Sequence, residues 1–385
     1  MSPIKENMKN LNQEKINQVS KISTKRDGYI DFFKGLLILW VIHIHTVFWS
    51  GRAYISDPFR EASLLIDVTT FFFISGYLTK PAGLIDSFKR AFKQFKNLYL
   101  NYITISLLLL PALSLGYFLR KKLVPDLQQA IIFMMSVLKL EAPGDVWGVI
   151  PVYRGSAWYL WVYLSLLFAL PFFISCFQSR KLRVVVLFSL LLLLHFSIQF
   201  SWNFDFLLTE AVYIYFYAFI YLLGMAYRLD GHLIRTHYFK LSFLINILVC
   251  LFIYFVLDNR IISLHAEKFP PSFKYLAYSL LLIHVLIIFQ RIWHYPNSKD
   301  RYKAKALSFL EWCGKNSYFI FIFQGVVCSI PLYFTDFLLN RFSVPSTYVI
   351  FLVFNIIFTL LVTFFYLRVK LSFFKLIKTR QMKQV

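Results

Sequence analysis

Four cysteines in 385 residues, Cys176, Cys250, Cys313 and Cys328, are too few and too scattered for a disulfide framework, and no CxxC pair offers the usual spacing of a zinc site. They sit in or beside apolar stretches, where packing is the simplest role. Acidic residues are scarce too: 19 Asp and Glu stand against 41 Lys and Arg, giving a formal net charge of +22. Such a balance can signal nucleic-acid binding, but here the basic residues flank apolar runs and build no basic domain interleaved with aromatics, which excludes that class. No small-residue cleavage site follows the polar first 25 residues, so the first apolar run is expected to be kept. Internal repeats and low-complexity tracts are absent, and the segments between apolar runs are too short for a separate soluble domain.

What is abundant is apolar surface: 58% of residues are hydrophobic, 20% are aromatic, and the mean hydropathy is +0.61. A bilayer needs about 20 apolar residues per helix. Runs of that kind lie near 32–50, 62–79, 98–119, 156–178, 184–200, 206–227, 241–257, 272–290, 316–339 and 346–367. The pattern predicts an all-α, polytopic membrane helix bundle of about ten transmembrane helices. Residues 1–25 form a polar tail expected to be disordered, 26–370 the membrane domain, and 371–385 a basic tail. The stretch 127–140 is too short to cross and reads as an interfacial or re-entrant helix. With both termini cytoplasmic, 29 Lys and Arg fall on the inner side and 10 on the outer, as the positive-inside rule requires. Arg120, Lys121 and Lys122 dissent, in an outer loop long enough to translocate with less regard for charge.

The first apolar run, DFFKGLLILWVIHIH from Asp31 to His45, carries four ionisable residues. Such groups are costly in lipid, so they are site candidates by default. At about 100° per residue, Lys34 and His45 are separated by three turns plus about 20°, and Asp31 lies about 40° from His45. These three share one face, stacked over roughly 20 Å. His43 is about 180° from Lys34 and is expected to pack elsewhere. The bland alternative is an interfacial Asp31–Lys34 ion pair and a hydrogen-bonded core His45. His195 and His284, in other apolar runs, read as core histidines.

The segment RDGYIDFFKGLLILWVIHIH resembles the opening of the acyltransferase 3 family of membrane O-acyltransferases, especially its fucose-4-O-acetylase-like branch. That opening places a basic residue, ten others and then a histidine, as Lys34 and His45 do here. FFFISGYL at Phe71–Leu78, WYLWVYL at Trp158–Leu164 and GKNSYFIFIFQ at Gly314–Gln324 follow in the family's order. The resemblance implies a ten-helix membrane core and transfer of an acyl group, usually acetyl, from cytosolic acyl-CoA to a hydroxyl of a cell-surface polysaccharide or lipid-linked glycan. It implies a multi-pass protein of the bacterial inner membrane, with acetyl-CoA as donor substrate and no metal. Two departures stand out. Gln324 occupies a place where many relatives have a histidine, and an amide cannot act as a general base. Tyr99 and Leu100 stand where relatives usually have a proline.

Acyl transfer to a sugar needs a base, cations for the CoA phosphates and donors for the oxyanion. His45 is the candidate base, or alternatively the nucleophile of an acyl-histidine. Lys34 is the candidate holder of pantetheine, phosphate or developing negative charge, with Asp31 balancing it. Lys89, Arg90, Lys93 and Lys96 recur at three- and four-residue steps, so a helix there presents a cationic stripe suited to the CoA nucleotide or serving only to fix orientation. Trp158, Tyr159 and Trp161 are candidate sugar-stacking residues or members of an aromatic belt, Glu210 is a candidate acceptor contact or a hydrated interfacial acid, and Gln324 is a candidate substrate contact. Ser75, Gly76, Asn316 and Ser317 match family segments but read as packing residues. The partners so implied are membrane lipids, acyl-CoA and a glycan acceptor, without nucleic acid; a homo-oligomer is compatible with the chain. The rival classes are a glycolipid flippase and a polysaccharide export protein or polymerase. A transporter would carry charged or broken helices in corresponding halves, whereas the charge here is concentrated in the first span.

Overall fold

A computed structural model describes residues 28–49, 54–124, 126–139, 149–177, 179–200, 204–234, 237–257, 263–292 and 301–382. The expected polar tail at 1–25 and the last three residues of the basic tail lie outside these. The chain forms α1 (Gly28–Phe48), α2 (Asp57–Ser63), α3 (Thr69–Leu78), α4 (Leu84–Lys121), α5 (Leu127–Leu138), α6 (Pro151–Ser156), α7 (Trp158–Cys176) and α8 (Arg180–Gln199). A two-residue hairpin of β1 (Asp205–Phe206) and β2 (Thr209–Glu210) pairs Asp205 with Glu210. Then come α9 (Ala211–Ile234), α10 (His237–Phe252) running into a π turn, α11 (Leu264–Lys268) and α12 (Phe273–Ile292). The last group is α13 (Arg301–Lys315), α14 (Ser317–Val327), a 3-10 turn at Ile330–Tyr333, α15 (Thr335–Leu339) and α16 (Val344–Met382).

The expected helical membrane bundle is what the chain forms. Among the described residues, eight helices are long and apolar enough to cross a membrane, or nine if the pair Lys305–Lys315 and Ser317–Tyr333, bent by 81°, counts as one span. Eight of the ten apolar runs become these long helices. The run at 62–79 instead breaks between α2 and the ten-residue α3, and the run at 316–339 breaks after α14. The physical reason is visible in both: Asp67 interrupts the first, and Pro331 at the start of a 3-10 turn interrupts the second. The short run at 127–140 gives the twelve-residue α5, started by Asp126 accepting from the Gln129 N–H at 2.7 Å.

The basic cluster at 89–96 is helical and continuous with the span that follows it, within the 38 residues of α4. Lys122, in the left-handed region at φ 58°, ends that helix. Basic residues after 370 likewise continue the last helix through Met382.

Helix α9 forms the axis of the main core, with Phe216, Tyr217, Ala218, Ile220, Leu222 and Met225 fully or nearly fully buried. In a bundle surrounded by lipid, helices associate through close packing and hydrogen bonds, so small residues mark the tightest crossings. At the crossing of α3 and α9, a Cβ on Gly76 would fall on the Tyr221 carbonyl oxygen, and one on Gly224 on the Phe73 carbonyl oxygen. At the crossing of α1 and α13, Gly314 meets the Asp31 carbonyl and Gly35 the Leu310 carbonyl in the same reciprocal way. These two crossings fix α1 and α3 against the bundle, and both helices carry the candidate site. Gly76→Leu and Gly314→Val are each expected to destabilise the fold by about 1–3 kcal/mol. The thermal midpoint of the detergent-solubilised protein measures this, and Gly83→Ala, where a Cβ meets nothing within 4 Å, is expected to leave it unchanged.

Candidate functional site

Helix α1 presents Lys34, Ile38 and Val41 to a cavity of about 390 Å³, and one further turn along the same stripe is His45. Opposite α1, α3 contributes Phe71, Ser75 and Thr79, α7 contributes Tyr159 and Tyr163, and α14 contributes Ser317 and Phe321. The polar groups on this wall are held by their neighbours. Gln94 Nε2 donates to the Tyr163 hydroxyl at 2.7 Å. The Thr79 hydroxyl donates to the Ser75 carbonyl at 2.9 Å and pairs with the Tyr221 hydroxyl at 2.5 Å.

The cationic stripe adjoins this cavity. Gln94 and Leu98 of α4 line it, and Arg90 is one turn before Gln94 on the same stripe. Lys89, Arg90, Lys93 and Lys96 are all exposed, and Arg90 reaches back to the Lys80 carbonyl at 3.3 Å. The end of the cavity carrying Lys34 and Gln94 is therefore also the end where four cations face solvent.

One turn beyond Val41 on α1, His45 Nδ1 and Gln324 Oε1 are 2.6 Å apart. Gln324 is fully buried and follows Phe321 by three residues on the cavity-lining side of α14. With the amide oxygen accepting, Nδ1 carries the imidazole proton and Nε2 keeps its lone pair. That is the tautomer a general base requires, so the amide that cannot itself be a base orients the group that can.

Close to His45 is a buried ion pair that the sequence reading did not single out. Asp67 and Lys268 meet at 2.5 Å with side chains 3% and 7% exposed, and both act electrostatically on His45. The Asp67 carboxylate also accepts from the Val68 N–H at 2.6 Å and from the Tyr275 hydroxyl at 2.7 Å. Lys268 Nζ lies 4.8 Å from the centroid of the Trp158 ring and 5.1 Å from that of Phe269. A lone acid in the apolar stretch 62–79 was a legible signal for Asp67. Lys268, in a short helix between spans, offered none.

Trp158 and Phe269 also line a second cavity, of about 600 Å³, together with Lys139, Trp161, Asp205 and Glu210. Thr209 and Tyr213 complete its polar lining. The hairpin that joins Asp205 to Glu210 brings both acids to this cavity.

The sequence candidates thus divide among three places. Lys34 and Tyr159 line the first cavity, Trp158 and Glu210 line the second, and His45 and Gln324 pair with each other one turn beyond Val41 and Phe321, outside the lining of both. Trp158 has one ring contact taken by Lys268 and an edge contact to Phe269, so a stacked sugar would have only the remaining surface. Asp31 is buried where α1 crosses α13, and it is not among the residues lining either cavity. Ser75 and Ser317 line the first cavity, whereas Gly76 is a packing residue, as expected. His43 turns away from the site, with its Nδ1 2.7 Å from the Tyr348 hydroxyl. His284 is hydrogen-bonded to the Leu280 carbonyl and Ser242, whereas His195, expected in the core, is exposed on α8 beside Phe196 and Phe273.

A family model described as an acyltransferase domain matches residues 27–368, nearly the whole chain. Searches of curated proteins and of solved structures returned no match. Gln324→Leu removes the acceptor from the His45 N–H and leaves a buried donor unsatisfied, at a cost of about 1–3 kcal/mol. Acyl transfer by this variant is expected to fall more in kcat than in KM, because the base loses its tautomer while the first cavity stays intact; steady-state kinetics of the purified variant measure the split.

Proposed function

Because the chain belongs to the acyltransferase family matched over residues 27–368 and is an integral, multi-pass membrane protein, we propose that it moves an acetyl or similarly short acyl group from cytosolic acyl-CoA to a hydroxyl of a cell-surface polysaccharide or lipid-linked glycan. In this reading both termini are cytoplasmic, the membrane is the bacterial inner membrane, and the donor enters from the side of the cationic stripe. The observation that carries it is the His45–Gln324 pair at the end of the stripe through Lys34, Ile38 and Val41, with a cavity running along that stripe.

The chemistry follows from that arrangement. Lys89, Arg90, Lys93 and Lys96 hold the CoA phosphates as exposed point charges, and Lys34 holds the pantetheine arm or a phosphate further in. The acyl thioester lies along the first cavity with its carbonyl next to His45. The acceptor sugar enters from the second cavity, where Glu210 takes a hydroxyl hydrogen bond and Trp158 offers the free part of its ring. Nε2 of His45 takes the proton of the attacking hydroxyl as the new C–O bond forms. The tetrahedral intermediate then expels the thiolate of CoA, the C–S bond breaks, and the imidazolium returns the proton to sulfur.

The test is acetyl-CoA turnover by the purified protein in detergent, comparing wild type with His45→Ala and using CoA binding as the control for folding. The variant is expected to bind CoA and to turn over at least roughly 100-fold more slowly. If wild type binds no CoA, the glycolipid flippase reading takes its place. Replacing Lys89, Arg90 and Lys93 together by Gln is expected to raise KM for acetyl-CoA without changing kcat. Because exposed charges are screened, the wild-type KM is expected to rise with salt and that of the triple variant to respond less.

A further inference from the structure

The Asp67–Lys268 pair lines neither cavity but has a neighbour in the lining of each, and no role has been given to it. Val68, the next residue after Asp67, lines the first cavity beside Val41, while Trp158 and Phe269, which Lys268 touches, line the second. A buried ion pair contributes little net stability relative to an apolar pair of the same size. Its presence here therefore asks for a functional reason.

The three partners of Asp67 show which member of the pair is free to act. Its carboxylate receives Lys268 Nζ, the Tyr275 hydroxyl and the Val68 N–H, which occupies it with three donors. Lys268 has three N–H groups, and Asp67 takes one. Among the described residues it is the only lysine in the buried class, so its charge is little screened by water. Lys34 cannot serve the same purpose, since eleven residues of α1 put it about 16 Å along the helix axis from His45.

We propose that Lys268 is a catalytic residue that binds the oxygen of the acyl carbonyl as it becomes an oxyanion, and that Asp67 and Tyr275 position it. The proposal rests on the acyl-CoA reading above. The acceptor hydroxyl gives its proton to His45 and forms the C–O bond, and the carbonyl π pair moves to oxygen, where the ammonium holds it by hydrogen bond and charge. When the C–S bond breaks, that pair returns to carbon–oxygen bonding and the thiolate takes the proton from His45. Lys268 stays protonated throughout.

The experiment uses the full-length protein in detergent, with acetyl-CoA as donor, a glycolipid and polysaccharide extract as acceptor, and thioester consumption as the readout. Lys268→Met is expected to lower kcat roughly 100-fold, as loss of one oxyanion donor does elsewhere, with KM for acetyl-CoA within about threefold of wild type. Because this variant leaves Asp67 buried without its cation, the pair is also replaced together, as Asp67→Asn with Lys268→Met. The double variant is expected to elute as a folded, monodisperse species and to remain as slow as Lys268→Met. Recovery of wild-type kcat in the double variant would make the pair purely structural and overturn the proposal, as would unchanged kcat in Lys268→Met. If His45→Ala is impaired while Lys268→Met is not, the base reading stands and this one falls. If wild type consumes no thioester at all, the acyl-CoA reading falls and takes this proposal with it.

Discussion

A polar or charged side chain inside an apolar bundle has no water to turn to, so each must find a partner within the protein. That constraint accounts for much of how this chain is held. His45 takes Gln324, Asp67 takes Lys268 and Tyr275, His43 takes Tyr348, and Asn355 takes Thr46. Each of these bonds joins segments far apart in sequence, and most converge on α1 and the elements packed around it. Arg183 and Asp230 add a bidentate pair, at 2.7 and 3.0 Å, between the start of α8 and the end of α9. Apolar packing alone would leave such helices free to rotate and slide against one another. The polar pairs, with the glycine crossings at Gly76 and Gly314, set a register.

The same constraint concentrates chemistry. The first cavity adjoins a solvent-facing cationic helix and runs along the stripe of α1 that leads, one turn on, to a histidine paired with a buried amide. The second cavity has acids and aromatics in its lining, a combination suited to a hydroxyl-rich ligand. Next to residues of both linings is a buried cation, Lys268, held by a carboxylate that also accepts from the Tyr275 hydroxyl and the Val68 N–H.

How far the site was legible can be judged residue by residue. Lys34 and His45 were found because helical periodicity is a local rule and both lie in one uninterrupted helix. Asp31 shows the limit of that rule: its angle is right, but the close crossing with α13 surrounds that part of α1 with protein. In the sequence Gln324 is a departure from a family pattern and a candidate substrate contact, not a partner of His45. Its contact with His45 spans 279 residues, a separation that no periodicity reports. Lys268 carried no signal at all, since a lysine between two spans reads as an ordinary interfacial charge.

By itself the sequence determined the class of fold, the stretches that become most of the membrane helices, the stripe of α1, and membership of an acyltransferase family. These rest on composition, periodicity and ordered motifs, all of which are properties of the chain read along its length. The tertiary structure decided which two apolar runs break, which amide fixes the tautomer of His45, and which charges share the interior with it. The reason is that burial and pairing are settled by crossings between distant helices, where a glycine on one and a carbonyl on another decide how closely their side chains can meet.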